Sequence, residues 1–198
     1  MTNSTYALVY HPVTFTDVAG NWSQSVANDL ASRMVLNGTE DGAFHPGQDM
    51  TRAEFAATLV RALGLKLESG TSSFTDVQSS AWYSQAVQTA VSHNLIQGFE
   101  DQTFRPLEQI TREQAMTIIA KALAYSPAVQ ADGSQAAALS SFKDAGQVSA
   151  WAAAGVSEAL KSGIVSGRNK STLAPKANVT RAEVAALIHR FLEKSGLI

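Results

Sequence analysis

The chain repeats one pattern of residues three times, and this repetition constrains its fold more than any other feature. Each copy opens with a phenylalanine and, two positions later, an aspartate. A tryptophan, a glycine and a proline follow, and the copy then reaches a threonine–arginine pair. The spacing from tryptophan to arginine is the same in all three copies, whereas the interval between copies varies. Fixed units with variable joints indicate stacked structural repeats.

This repetition also sets the expected boundaries. We divide the chain into a lead segment 1–14, repeats 15–66, 74–125 and 142–198, and linkers 67–73 and 126–141. At roughly 50 residues, each repeat is too small to bury much apolar surface alone, so we expect one shared core. The second linker contains an alanine run that fits either a flexible connection or a short helix. The start lacks the features of a signal peptide and the end fits a native C-terminus, so we expect a fragment of a longer exported protein.

Composition excludes several classes of protein. The 198 residues are 45% hydrophobic and 16% charged, which is typical of a folded globular chain. A net charge of −2 gives no general attraction to nucleic acid or to an anionic membrane, and no apolar run is long enough for membrane insertion. The absence of cysteine excludes disulfides and thiolate catalysis.

Two helices are predicted in each repeat, and the first begins at the tryptophan. In the first repeat Val26, Leu30 and Met34 recur at helical spacing and give one apolar face. We expect a glycine in the left-handed conformation to end this helix before a short turn. These glycines are Gly38, Gly98 and Gly167. In the turn, Phe44 or Phe104 places its ring on the core.

The second helix begins at the threonine–arginine pair. Threonine followed three residues later by glutamate or glutamine, before an apolar run, is a capping box. The three predicted boxes pair Thr51 with Glu54, Thr111 with Gln114, and Thr180 with Glu183. Near the ends of these helices the cations Arg61, Lys121 and Arg190 suit the helix dipole. Helix initiation and helix polarity account for all of these residues.

The arginine of each pair needs another explanation. Arg52, Arg112 and Arg181 fall at N1, where the positive end of the helix dipole disfavours a cation. A guanidinium beside the free N–H groups of a helix start is an anion site, which favours a ligand role. The alternative is an ion pair with an aspartate of the same or a neighbouring repeat: Asp17, Asp76 or Asp144. A ligand role predicts that arginine-to-alanine variants keep their helix content.

The triplicated pattern between Phe15 and Leu192 resembles the S-layer homology (SLH) domain. The resemblance implies an all-α fold, a pseudo-threefold trimer of repeats with the second helices in a central three-helix bundle. The first helices and loops would surround that bundle. It also implies non-covalent anchoring of surface proteins to secondary cell-wall polymers of Gram-positive-type envelopes. Such domains bind pyruvylated polysaccharide in grooves between repeats, outside the cell and without a cofactor.

The resemblance also implies a set of site residues. The carboxylate of a pyruvate ketal is an anion, and the guanidinium of Arg52, Arg112 or Arg181 can hold it through two hydrogen bonds. Tryptophans would form a platform for the sugar and aspartates would accept its hydroxyls: Trp22, Trp82, Trp151, Asp17, Asp76 and Asp144. A place in the core explains the tryptophans as well. The three glycines either let backbone N–H groups approach the ligand or end a helix.

Two other functions compete with anchoring. A protein–protein scaffold module of a surface lattice, without glycan specificity, would use the same fold. An enzyme is disfavoured because the four histidines do not recur at matching positions and none stands at a suggestive spacing from a nucleophile. The acidic turn at 40–42 is too short for a calcium-binding EF-hand loop. We therefore expect no catalysis, metal or cofactor, and a monomeric fragment with internal threefold symmetry.

The third repeat departs from the other two. Leu173 stands where they have a phenylalanine, and its turn carries Arg168 and Lys170 in place of acidic residues. We therefore expect the binding grooves to be unequal.

Overall fold

Both predicted helices form in every repeat. In a computed structural model, which describes residues 10–70, 72–125 and 139–198, the helices are α1 (Gln24–Ser32), α2 (Arg52–Ala62), α3 (Ser84–Ser92), α4 (Arg112–Leu123), α5 (Ala153–Lys161) and α6 (Arg181–Lys194). Short 3-10 turns lie at Thr16–Val18, Leu139–Ser141 and Ala145–Gln147. Those residues contain isolated bridges but no strand, so the all-α prediction is confirmed. Most of the lead segment and of the alanine-rich linker lies outside the described residues.

Each second helix begins as the capping-box prediction requires. Thr51 Oγ1 accepts the backbone N–H of Glu54, while the Glu54 carboxylate accepts the Thr51 N–H at 2.8 Å. The same exchange begins the other two helices, at Thr111 with Gln114 and at Thr180 with Glu183. Because these bonds satisfy N–H groups that a helix start leaves free, α2, α4 and α6 begin at fixed residues. Each of them therefore carries an arginine at N1.

The first helices end earlier than predicted, and the predicted glycine stop is wrong. The last residues of α1, α3 and α5 are Ser32, Ser92 and Lys161. The left-handed residues that follow are Met34, Asn94 and Gly163, with φ of 61°, 56° and 66°. The predicted glycines lie four residues further along the chain, and none of them has a positive φ.

Close packing explains those glycines instead. A Cβ atom on Gly98 would lie inside van der Waals contact of the Phe74 ring and 2.7 Å from the carbonyl oxygen of Thr103. On Gly38 it would lie 2.9 Å from the ring of Phe15. The phenylalanine that opens each repeat can therefore rest directly on the backbone because the glycine has no side chain.

The repeats contact one another in a cycle. α2 packs on α3, α4 on α5 and α6 on α1, so every second helix packs on the first helix of the next repeat. Backbone bridges follow the same cycle: Asp49 with Thr180, Thr51 with Gln109, and Thr111 with Asn178. The buried side chains form one continuous core, in which Phe44, Phe104 and Leu173 are fully buried. α2 also packs on α6, while a central bundle with a threefold axis stays a prediction.

Candidate functional site

The three aspartates hold the turn that precedes each second helix. The carboxylate of Asp17 accepts the backbone N–H groups of Phe44 and His45 at 3.0 and 2.6 Å, and Asp76 and Asp144 accept the equivalent pairs. The second residue of each pair has a φ of 54° to 57° directly before a proline, a strained conformation that costs about 1–3 kcal/mol. The aspartates thus stabilise a strained turn, and their role as ligand acceptors stays a prediction.

Acid should weaken this arrangement. The hydrogen bond from the Leu173 N–H lowers the pKa of Asp144 below its usual 3.8. Burial raises the pKa of Asp17, but bonds from the turn more than offset that effect. Because these folded-state pKa values are depressed, each ionised carboxylate stabilises the fold fully above the unfolded value, and the contribution is lost as the pH falls through the folded value.

We therefore expect the free energy of unfolding, measured by urea titration, to fall as the pH drops below about 3.8. Asp144→Asn should be less stable than the wild type near neutral pH and should lose less stability on acidification. Parallel pH profiles for the two proteins would contradict this assignment.

The arginines at N1 are buried and bind the backbone of the next repeat. Arg52, Arg112 and Arg181 are 5%, 7% and 4% exposed. Nε of each donates to a carbonyl in the next repeat, that of Phe104, Leu173 and Phe44 respectively, at 2.8, 2.8 and 2.6 Å. Nη2 donates to a second carbonyl of the same turn, that of Gln97, Ser166 and Asn37. We call this contact the arginine clamp, and the clamp of the third repeat closes onto the first.

The remaining nitrogen, Nη1, distinguishes the three arginines. In Arg112 it contacts the Glu183 carboxylate at 3.2 Å, and in Arg181 it contacts Glu54 at 3.3 Å. The residue at the equivalent position for Arg52 is the uncharged Gln114. Ion pairs between the N1 arginines and the aspartates do not occur among the described residues. The predicted alternative, an ion pair of each arginine with Asp17, Asp76 or Asp144, is therefore wrong. The acidic partners are the glutamates of the capping boxes.

All three tryptophans are exposed, so the alternative that places them in the core is wrong. Trp22, Trp82 and Trp151 are 65%, 67% and 59% exposed and lie just before the first helices. Trp151 and Trp22 each line a cavity, whereas Trp82 packs edge-on against Tyr83 with ring centroids 5.4 Å apart. An exposed indole beside a cavity is a flat apolar surface on which a ligand can stack.

The larger cavity lies where three repeats meet. Arg52 of the first repeat, the turn 95–101 and helix α4 of the second, and Trp151 of the third enclose about 780 Å³. Lys121 and Arg105 also line it. The volume falls within the roughly 300–1,000 Å³ that is common for small-molecule sites. The cavity therefore combines a buried guanidinium, further positive charge and an aromatic wall.

A smaller cavity repeats this composition one repeat further along the chain. Arg112, the turn 164–168, helix α6 and Trp22 enclose about 230 Å³. Arg168 lies across this site, because its Nε and Nη2 contact the Glu183 carboxylate at 3.2 and 3.1 Å. One glutamate thus binds both Arg112 and Arg168. The two cavities are unequal in size, while unequal affinity stays a prediction.

Sequence reasoning missed two groups of site residues. Lys121 and Arg190, assigned to the helix dipole, line the two cavities. Glu54 and Glu183, assigned to capping alone, also contact an arginine of another repeat. A capping glutamate has two carboxylate oxygens, and this was the signal that sequence reasoning missed. In Glu54 and Glu183, Oε2 accepts the N–H of the N-cap residue, and Oε1 accepts a hydrogen bond from the guanidinium.

Within residues 10–70, 72–125 and 139–198, no group of three or more side chains could hold a metal ion. None of the helices there has the length and apolarity needed to cross a bilayer.

Comparison with known families identifies three copies of one domain in the chain. A family model described as "S-layer homology domain" matches residues 14–56, 73–116 and 141–185, which together make up more than half of the chain. Three tandem matches correspond to the three repeats read from the sequence.

Curated relatives match nearly the whole chain. An amylopullulanase from Thermoanaerobacterium thermosulfurigenes is 40% identical over 98% of this chain and 10% of its own length. The exoglucanase XynX from Acetivibrio thermocellus is 36% identical over 93% of this chain and 17% of its own length. A surface-layer 125 kDa protein from Lysinibacillus sphaericus is 30% identical over 90% of this chain and 15% of its own length. The chain thus spans less than a fifth of each of these relatives.

Proposed function

The chain belongs to the S-layer homology domain family of non-catalytic anchoring modules, and we propose that it holds a larger protein at the cell wall by binding pyruvylated secondary cell-wall polysaccharide. The relatives named as surface-layer proteins support a location at the cell surface. In the two enzymes the matched segment is a small part of their own length, which suits a module that leaves catalysis to other regions.

One observation carries the proposal: a buried arginine opens into a cavity that has an exposed indole on its wall. Arg52 and Trp151 line the same space of about 780 Å³. A sugar ketal that carries a carboxylate needs both features, a charged donor for the anion and an apolar face for the ring. Burial lowers the pKa of Arg52 to about 10, which still leaves the guanidinium charged at neutral pH. A charge-assisted hydrogen bond to the ligand would contribute about 1.5–3 kcal/mol.

The proposal has a direct test. Isolated cell walls that carry pyruvylated polymer should bind and sediment the protein, and mild acid that removes the ketals should abolish this binding. Binding that survives ketal removal would favour a neutral glycan or a protein partner. It would thus support the scaffold alternative over carboxylate recognition.

Trp151→Ala should weaken polymer binding by about tenfold or more, because it removes the aromatic wall of the larger cavity. Trp82→Ala is a matched control, since Trp82 is equally exposed but lines neither of the two cavities. Surface plasmon resonance on immobilised polymer gives both affinities. Equal losses in the two variants would show that the larger cavity is not the preferred site.

A further inference from the structure

We infer that Gln114 makes the larger cavity the main receptor for the ligand carboxylate, whereas Glu54 and Glu183 neutralise the corresponding arginines of the other two repeats. This inference rests on the proposed function and adds a residue that determines which groove binds the ligand carboxylate most tightly. Gln114 stands at N3 of α4, where the other second helices carry glutamate. The difference between the grooves would therefore come from one amide in place of a carboxylate.

The donors of Arg52 are only partly used. Nε donates to the Phe104 carbonyl at 2.8 Å and Nη2 donates to the Gln97 carbonyl at 3.2 Å. Nη1 has no hydrogen-bond or ion-pair partner among the described residues, although the side chain is only 5% exposed. The guanidinium carbon, Cζ, lies 4.8 Å from the ring centroids of both Phe99 and Phe104. An open donor on a largely buried guanidinium that lines a cavity is a strong site for an anion, because the low local dielectric strengthens the attraction.

The arginines of the other repeats already have an anion at this position. Glu183 contacts Arg112 Nη1 at 3.2 Å and also contacts Arg168 at 3.1 Å. Its other oxygen accepts the Thr180 N–H at 2.9 Å, so the carboxylate is fixed on the guanidinium. An incoming carboxylate would have to displace Glu183 from two arginines, or bind close to its negative charge.

The total charge around the cavities does not decide the order of the grooves. Two acids, Glu100 and Asp101, line the larger cavity, and Glu108 also acts on the charge of Arg52, but all three are exposed. A hydrogen bond from the Thr103 hydroxyl, and then one from Arg105, lowers the pKa of Asp101 to about 2. The Asp101 carboxylate is therefore hydrogen-bonded within its own turn. What matters is which carboxylate touches the buried guanidinium, since exposed charges are screened by solvent.

Cavity size favours the same order. The cavity of Arg52 encloses about 780 Å³, whereas that of Arg112 encloses about 230 Å³ with Arg168 across it. The smaller volume falls below the roughly 300 Å³ at which ligand sites usually begin. The contact between Arg168 and Glu183 therefore helps to fix the carboxylate on Arg112 and narrows the second groove.

The test is Gln114→Glu in the full 198-residue chain. Glutamate keeps the capping box and the side-chain size, so the fold should persist, but it places a carboxylate beside Arg52. The probes are a synthetic pyruvylated hexoside and its methyl ester, studied by isothermal titration calorimetry. We expect the variant to bind the free acid about tenfold more weakly, and both proteins to bind the ester weakly and equally. Gln78→Glu adds the same charge at an exposed position outside both cavities and should bind like the wild type.

The reciprocal variant gives an independent readout. Glu183→Gln frees Nη1 of Arg112 and releases Arg168, so a second binding event for the free acid should appear. An unchanged number of sites would contradict the role assigned to Glu183. Equal affinity of wild type and Gln114→Glu would overturn the inference but leave the proposed function intact. A wild type that binds neither the acid probe nor pyruvylated walls would overturn both.

Discussion

Arg181→Ala should lower the free energy of unfolding by about 3 kcal/mol, because it breaks a part-buried ion pair and an arginine clamp at once. The alanine leaves the carbonyls of Phe44 and Asn37 without their donor and leaves Glu54 without its counter-ion. Each buried acceptor that loses its partner costs about 1–3 kcal/mol. Urea titration followed by far-ultraviolet circular dichroism measures the loss. The structure thus predicts a loss of stability for a variant that the sequence alone predicts to keep its helix content.

Two controls separate the clamp from general effects of charge. Arg190→Ala removes an exposed arginine from the same helix and should change stability by less than about 0.5 kcal/mol. Arg181→Lys keeps the charge, but an ammonium cannot reproduce the planar fork that reaches two carbonyls and a carboxylate, so most of the loss should remain. Equal stability of Arg181→Ala and Arg190→Ala would mean that the clamp contributes nothing to the fold.

Gly98→Ala should also be strongly destabilising, by about 3 kcal/mol. The added methyl group would overlap the Phe74 ring and lie 2.7 Å from the Thr103 carbonyl oxygen. The Phe74 ring is partly buried against the core and can move only by disturbing its neighbours, including Phe104, whose ring centroid lies 5.5 Å away. The backbone carbonyl can move even less. Thermal unfolding monitored by circular dichroism would report the loss as a lower melting temperature.

Other glycines provide a graded series for this prediction. Gly38→Ala would bring its methyl group to 2.9 Å from a ring and 3.0 Å from a carbonyl, so a smaller loss is expected. Gly47→Ala meets nothing within 4 Å and has no positive φ, so its effect should be neutral or slightly stabilising. A melting temperature for Gly98→Ala that equals that of Gly47→Ala would refute the packing role of Gly98.

Local features were predictable from the sequence because they depend on near neighbours. The capping boxes and the N1 position of the arginines follow from residues within one helical turn, whereas the all-α class followed from the family resemblance. Burial of Phe44 and Phe104 was also predictable, since an aromatic ring in a polar turn must pack on something.

Features that join two repeats were not predictable in the same way. The clamp of Arg52 binds backbone carbonyls of residues 97 and 104, and a carbonyl leaves no trace in an amino-acid sequence. The sequence suggested an aspartate as the partner of each arginine. The aspartates instead accept N–H groups of the turn before the second helix of their own repeat. The glycines were misassigned for a related reason. A glycine needed for close packing and one needed for a positive φ look the same in sequence, and only the contact with Phe74 distinguishes them at Gly98.

The clamps have a consequence for how such modules can evolve. Each arginine lies in one repeat and its carbonyl acceptors lie in the next, so compatibility belongs to the boundary between two repeats. Recombination that imports one foreign repeat would create two untested boundaries and preserve one. Transfer of all three repeats together would preserve every boundary. Inheritance of the three repeats as one unit therefore requires no compensating substitutions at the boundaries.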